Sequence, residues 1–448
     1  MAGLPALSRR RFLGTGSAAA VAMAAPYVKT AHSAGRLELG VQDHWVPGVN
    51  PVVERICTEW GQQNNVDVKV DFITSVGNKL ALTAQAEARA GTGHDIFQMG
   101  LWGPSIQRTK LEPLDDVIAD VEADVGPMDP AAKYCFFIDG AWRSSPVAVM
   151  GQTHAFNSRI DHFRDIAGID LPDIFPAGPR DPAKVATWTY GTLLTAAQKL
   201  HAAGFGFGAP LSPTPDGTFW LAPLFAAFGA VLVDADREIT VNSDETRAVL
   251  EYMKELSQFM SDSVYAWDDA SNNRWMLSGR GSAVINPPSP WAVAKRDAPE
   301  LAPLIWHHDL PVGPRGRFRH LIPNGWGIWH FSSNKEAAKD LLRHMATREV
   351  AEQLVTASKG YEAIIFASFR DFGVVEEAGP PAGTLYNYAP RGDEQLILCG
   401  TPAPNDVAAQ IFTQGVFGNL VARVTSHNEA LDDAIAWAEN ELEGFLRG

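Results

Sequence analysis

Gly279 to Met345 reads GRGSAVINPPSPWAVAKRDAPELAPLIWHHDLPVGPRGRFRHLIPNGWGIWHFSSNKEAAKDLLRHM, and the fold turns on how this stretch is parsed. Ser282 to Ile285 is an apolar run of strand length, followed by a Pro-stiffened loop that ends in Trp291. Leu304 to Leu310 reads as a second strand. After a further turn, a strand through Trp326 to Phe331 runs straight into an amphipathic helix. Strand, loop and helix in that order are the units of an α/β protein, and such proteins keep small-molecule sites beyond their strand ends. The indoles Trp291 and Trp326 stand at those ends.

Upstream, the same units recur. Leu37 to Val41 is a strand ending in the polar and aromatic cluster Gln42-Asp43-His44-Trp45. Asn50 reads as the cap of a helix with Pro51 at its first position, and Val52, Val53, Ile56, Cys57 and Trp60 follow with helical spacing. Val66, Val68, Val70 and Phe72 alternate with Asp67, Lys69 and Asp71, the period of a half-buried strand. An Ala-rich helix from Gly77 to Ala90 and a strand Asp95 to Met99, leading into Trp102, complete a β-α-β-α-β opening of a parallel sheet. Asp115 and Asp116 begin a helix, where acids offset the dipole.

Arg143 to Phe156 reads as one apolar strand. Thr187 to Tyr190 opens a helix with Leu193, Leu194, Ala197 and Leu200 on one face, and Asp216 to Trp220 leads into the apolar helix Leu221 to Phe228. Asn242 with Glu245, Ser333 with Glu336, and Ser426 with Glu429 have the spacing of capping boxes. Gly360 breaks a helical run, and Ala378 to Gly392 is a loop rich in Pro, Gly and Tyr.

At 448 residues the chain exceeds what one hydrophobic core usually supports, so two lobes are expected. Its net charge of -15 includes a basic leader: removing Arg9, Arg10, Arg11 and Lys29 leaves 33 basic residues against 52 acidic ones, or -19. Such a surface repels nucleic acid and anionic lipid. Ser8-Arg9-Arg10-Arg11-Phe12-Leu13, a mildly apolar Gly14 to Ala25 and Ala31-His32-Ser33 resemble a twin-arginine signal peptide spanning 1–33, with a soluble periplasmic product. The odd cysteine count, Cys57, Cys135 and Cys399 without a C-x-x-C, leaves at least one thiol outside any internal disulfide.

The order of pieces resembles the family 1 extracellular solute-binding proteins of ABC importers, the group that includes the maltose-binding protein. The resemblance rests on His94 to Met99, Leu111 to Asp116, Thr187 to Tyr190, Leu277 to Val284, Asn286 to Trp291, Leu310 to Pro314 and Ser332 to Ala338. It implies an α/β, two-lobed periplasmic-binding-protein fold of type II, with crossing segments and a ligand cleft between the lobes. Lobe one would comprise 35–149 and 325–358, and lobe two 150–324 and 359–448. The implied partners are a small carbohydrate and the permease subunits of an ABC transporter, with no cofactor, no metal, no nucleic acid and a monomeric state.

By the same resemblance the ligand positions are Gln42, Asp43, His44, Trp45, Trp102 and Gln152, then Trp220 and Trp291, then Asn324 and Trp326. Tyr361 joins them where the family usually has Pro after Gly360. Flat rings suit the apolar faces of a sugar, and amides and carboxylates suit its rim. The expectation is that Trp45, Trp102, Trp220, Trp291 and Trp326 meet across one gap. Two rivals stand beside a sugar receptor. One is a cation receptor, in which indoles and acids cage a quaternary ammonium or polyamine; its affinity would fall with salt. The other is a periplasmic hydrolase, although H-E-x-x-H, G-x-S-x-G, Walker and Rossmann signatures are all missing from the sequence.

Overall fold

The computed structural model describes residues 35–46, 48–176, 179–359, 361–362, 364–369, 371–372 and 393–447, with 147–150 described by backbone alone. The leader, the break at Gly360 and the loop Ala378 to Gly392 lie outside them.

Chain order gives the strands β1 (Gly35–Gln42), β2 (Val66–Ile73), β3 (Ile96–Gly100), the two-residue pair β4 (Phe137–Ile138) and β5 (Ala141–Trp142), β6 (Ser145–Thr153), β7 (Ala155–Arg159), β8 (Gly206–Gly208), β9 (Gly281–Asn286), β10 (Ile305–His308), β11 (Arg317–Ile328) and β12 (Glu394–Ile397). One sheet has the order β12-β11-β3-β1-β2, with β6 also paired to β11; a second has the order β10-β7-β9-β8. β1 runs parallel to both β2 and β3. The helices Val49–Asn64 and Lys79–Ala90 make the two crossovers, so the β-α-β-α-β opening forms as its periodicity predicts. Leu37 and Leu39 of β1 are fully buried, as are Ala283 and Val284 of β9, which anchors each sheet in apolar packing.

Arg143 to Phe156 is two strands and not one. β6 pairs antiparallel with β11 in the first sheet, while β7 lies between β10 and β9 in the second, so the chain changes sheet at His154. Exposure does not mark the break, because Thr153, His154 and Ala155 around it are all buried.

β11 likewise begins at Arg317 and not near Trp326. Arg317, Arg319 and His320 are fully buried within it, a pattern that reads as a surface turn. Their charges are met internally: Arg319 lies 2.7 Å from Glu394 and 3.4 Å from Asp309, and Arg317 lies 3.0 Å from Asp393. Pro323 and Gly325 bracket a bulge where β11 faces β6. Across it, Gly151 has φ +119°, and a Cβ there would stand 1.8 Å from the Ile322 carbonyl oxygen. Only glycine lets the two crossing strands pass so closely.

The expected capping boxes do not form. The helix Asp244–Leu256 is capped by Ser243, which accepts from the Thr246 N–H, while Asn242 accepts from Arg247. Lys335–Met345 starts at Asn334 without a side-chain cap. Ser426 ends the helix Val416–Thr425, and Glu429 pairs with Arg423. Asn50 sits inside Val49–Asn64, whose cap position is Gly48; its amide turns back to hold the β1 loop. At Asp244–Leu256 a neighbouring hydroxyl, that of Ser243, takes the role that spacing assigns to Asn242. Asp115 and Asp116 do open the helix Asp115–Val125, where Lys339 and Arg343 pair with Asp116.

Candidate functional site

Three strands end at one cleft. Gln42 closes β1, Gly100 closes β3 and Asn286 closes β9, and all three line a hollow of about 240 Å³. The crossing strands contribute Gln152, Ile322 and Asn324 to it. Ligand sites beyond strand carboxyl ends are what an α/β topology provides. Leu101, next along from β3, holds a left-handed φ of +43° at the cleft, a strained conformation for a branched-chain residue.

On the first-sheet side, Gln42, Trp45, Gln152, Asn324 and Tyr361 come together as lining residues. Gln42 is fixed through its backbone N–H, which donates to Gln98 Oε1 at 3.0 Å, and its amide reaches Ser75 Oγ at 3.4 Å. Tyr361 donates its hydroxyl to Gln152 Oε1 at 2.8 Å. His44 stands behind Tyr361, with ring centroids 5.5 Å apart and nearly perpendicular. Its Nδ1 accepts from the Val46 N–H, so Nε2 carries the proton given to Glu362. Glu362 in turn accepts from the Gly151 N–H at 3.4 Å, tying this wall to the crossing strand. Asp43 is exposed and bonded to Asn50; neither it nor His44 lines the cleft.

The other indoles do not converge there. Trp220 falls inside the helix Pro215–Phe228, is 1% exposed and donates to the Pro210 carbonyl. Trp326 lies two residues from the end of β11, fully buried. Trp291 is in the first turn of the helix Ser289–Asp297, half-buried, with Lys295 over its ring at 5.0 Å. Trp102 donates to Cys399 Sγ at 3.3 Å and borders a smaller hollow of about 130 Å³ that shares Leu80, Ala81, Gly100 and Phe412 with the cleft. The expectation of rings meeting across the gap therefore reduces to Trp45 among the tryptophans. An indole at an element end faces either the cleft or the core, and sequence spacing does not say which.

The second wall is polar, and sequence reasoning missed most of it. Asn286 Nδ2 donates to Ser289 Oγ at 2.9 Å, Ser289 donates to Asn273 Oδ1 at 3.0 Å, and Asn272 bridges Asn286 Oδ1 and Asp216 Oδ2. The INPPSPW loop thus delivers an asparagine and a serine where an indole was expected. Asp216, Phe219, Asp269 and Phe412 complete this side, and Phe219 stacks on Phe412 at 5.6 Å. The polar run Ser271-Asn272-Asn273 just ahead of an apolar strand was the available signal.

Charge in the cleft has one sign. Asp216 and Asp269 line it, and no Lys or Arg does among the described residues. Burial, then Asp216 and Asp268, push the Asp269 carboxyl up to about 7. The cysteines stand elsewhere: Cys57, Cys135 and Cys399 are free and buried, and burial pushes the thiols of Cys57 and Cys399 up to about 12. Chemically, the cleft offers ring faces, amides, a hydroxyl and carboxylates. That set suits a hydroxyl-rich solute and, among the described residues, gives an anion no Lys or Arg to pair with.

Residues 56–371 match the model of a family described as bacterial extracellular solute-binding protein. The chain belongs to that family. As an extracellular solute-binding protein it is exported, to the periplasm or beyond, and none of its described helices is long and apolar enough to cross a membrane. Solved structures with the same two-lobed fold include maltose-bound MalE3 of T. maritima, at 18% identity and TM-score 0.71 over 92% of this chain and 99% of that one. Another is a sugar transporter of Arthrobacter chlorophenolicus A6 with bound laminaribiose, at 14% identity and TM-score 0.73 over 92% and 99%. A third, from Agrobacterium vitis S4 with bound D-mannitol, has 18% identity and TM-score 0.65 over 92% and 99%. At such identities the likeness shows the fold alone. No curated protein matches the sequence.

Proposed function

We propose that this solute-binding protein captures a carbohydrate or polyol in the cleft and delivers it to the permease of an ABC transporter, returning the ligand unchanged. The reading rests on one observation: the Trp45 ring and the Asn273-Asn286-Ser289 wall border a single hollow free of Lys and Arg among the described residues. An apolar face opposite a hydrogen-bonding rim is the complement of a sugar ring. Tyr361, Gln152, Gln42 and Asn324 act as the opposite rim. Lobe one comprises 35–149 and 325–358, lobe two 150–324 and 359–448, and residues 1–33 direct twin-arginine export of a monomer. Solutes bound by proteins of this fold, such as maltose, laminaribiose and mannitol, support the class.

A thermal-shift screen over mono-, di- and oligosaccharides, polyols and amines tests this. A true ligand at 100 times its Kd adds about 2.7 kcal/mol of apparent stability. A saturable shift with a carbohydrate that is recovered intact is the expected result. A shift only with non-carbohydrate solutes, or hydrolysis of the ligand, would overturn it.

A further inference from the structure

The second wall of the cleft is more acidic than a neutral sugar requires. Asp216 Oδ2 accepts from Asn272 at 2.7 Å, and its Oδ1 stands 3.5 Å from His154 Nε2. Asp269 Oδ1 is sealed from solvent and has no hydrogen-bond partner. A separate side chain points the same way. His154 is 1% exposed and lines the cleft, and neither of its ring nitrogens makes a hydrogen bond. A hydroxyl brings one proton to such a cluster, whereas an ammonium brings several together with the opposite charge.

Building on the carbohydrate reading above, we propose that the ligand is an amino sugar or amino polyol, its protonated amine held by Asp216 and Asp269 and its hydroxyls by Asn273, Asn286 and Ser289. A neutral ligand would offer Asp216 and Asp269 hydroxyls alone, and once Asp269 ionises the two like charges repel. The amine replaces the proton that the empty cleft holds on Asp269 up to about pH 7. The charged and titratable neighbours are Asp216, Asp268 with its partner Arg274 at 2.7 Å, and His154 beyond Asp216. As pH rises, Asp269 ionises, so affinity for a cation rises.

The test is calorimetric titration of the full chain with two matched pairs: D-sorbitol against 1-amino-1-deoxy-D-sorbitol, and D-glucose against 6-amino-6-deoxy-D-glucose. In at least one pair the amine should bind about tenfold more tightly at low salt, with that advantage shrinking as ionic strength rises. Binding of the amine should release protons below about pH 7, seen as a dependence on buffer ionisation enthalpy. Asp216→Asn and Asp269→Asn should each reduce the amine-to-hydroxyl affinity ratio toward one. That ratio remains readable even if a variant is less stable. Equal affinities within both pairs, or a preference that survives in both variants, would overturn this inference and leave the carbohydrate reading standing. Binding of spermidine or choline with none of the four would overturn both.

Discussion

At the scale of single residues, the division between ring and rim decides what each substitution does. Trp220 and Trp326 are sealed in the interior, so they act on stability. Trp220→Ala should cost about 3–5 kcal/mol in a urea melt. Asp269 contributes a pH dependence, as does Glu394, whose carboxyl burial also pushes up to about 7. The folded pKa of Asp269, about 7, lies above the ordinary carboxylate value, so the folded chain holds this proton more tightly than the unfolded one. The resulting stabilisation is complete below the ordinary carboxylate range and is lost as pH rises to about 7. Melting temperatures across that window should therefore fall more gently with rising pH for Asp269→Asn than for the parent. Gln42, Trp45, Gln152 and Asn324 were named in the sequence through the family resemblance, and Tyr361 as the departure after Gly360; all five border the hollow. Asp216 and Asp269 were not legible as cleft residues, because an acid in a loop carries no mark of what will face it.

At the scale of elements, periodicity predicted what packing alone determines and failed where chemistry is satisfied at a distance. β1, β2 and β3 follow directly from alternation and apolar runs, since their burial is local. The start of β11 is hidden in the sequence because Arg319 pairs with Glu394 on β12 and Arg317 with Asp393 just before it, partners far along the chain. Caps failed for the opposite reason, since several polar residues stand within one turn and only geometry chooses between them. Ser243→Ala should cost about 1 kcal/mol in a denaturant melt, and Asn242→Ala should cost less. The bulged crossing makes a stronger demand. With a Cβ placed 1.8 Å from the Ile322 carbonyl oxygen, Gly151→Ala should destabilise the chain by more than about 1 kcal/mol, measured the same way.

For the whole molecule, two sheets joined by β6 and β11 put three strand ends around one hollow, and that hollow explains why a large acidic chain carries so polar an interior wall. The order of motifs along the sequence was enough to indicate this two-lobed architecture. It misjudged what fills the gap, because long-range convergence sets which side chains meet. Trp45 and Asn286 should touch the same solute from opposite walls. Calorimetric titration of the best carbohydrate ligand against the parent, Trp45→Ala and Asn286→Ala measures this directly. One ligand per parent chain and at least about tenfold weaker binding in both variants is the predicted result; undiminished binding in both would contradict it.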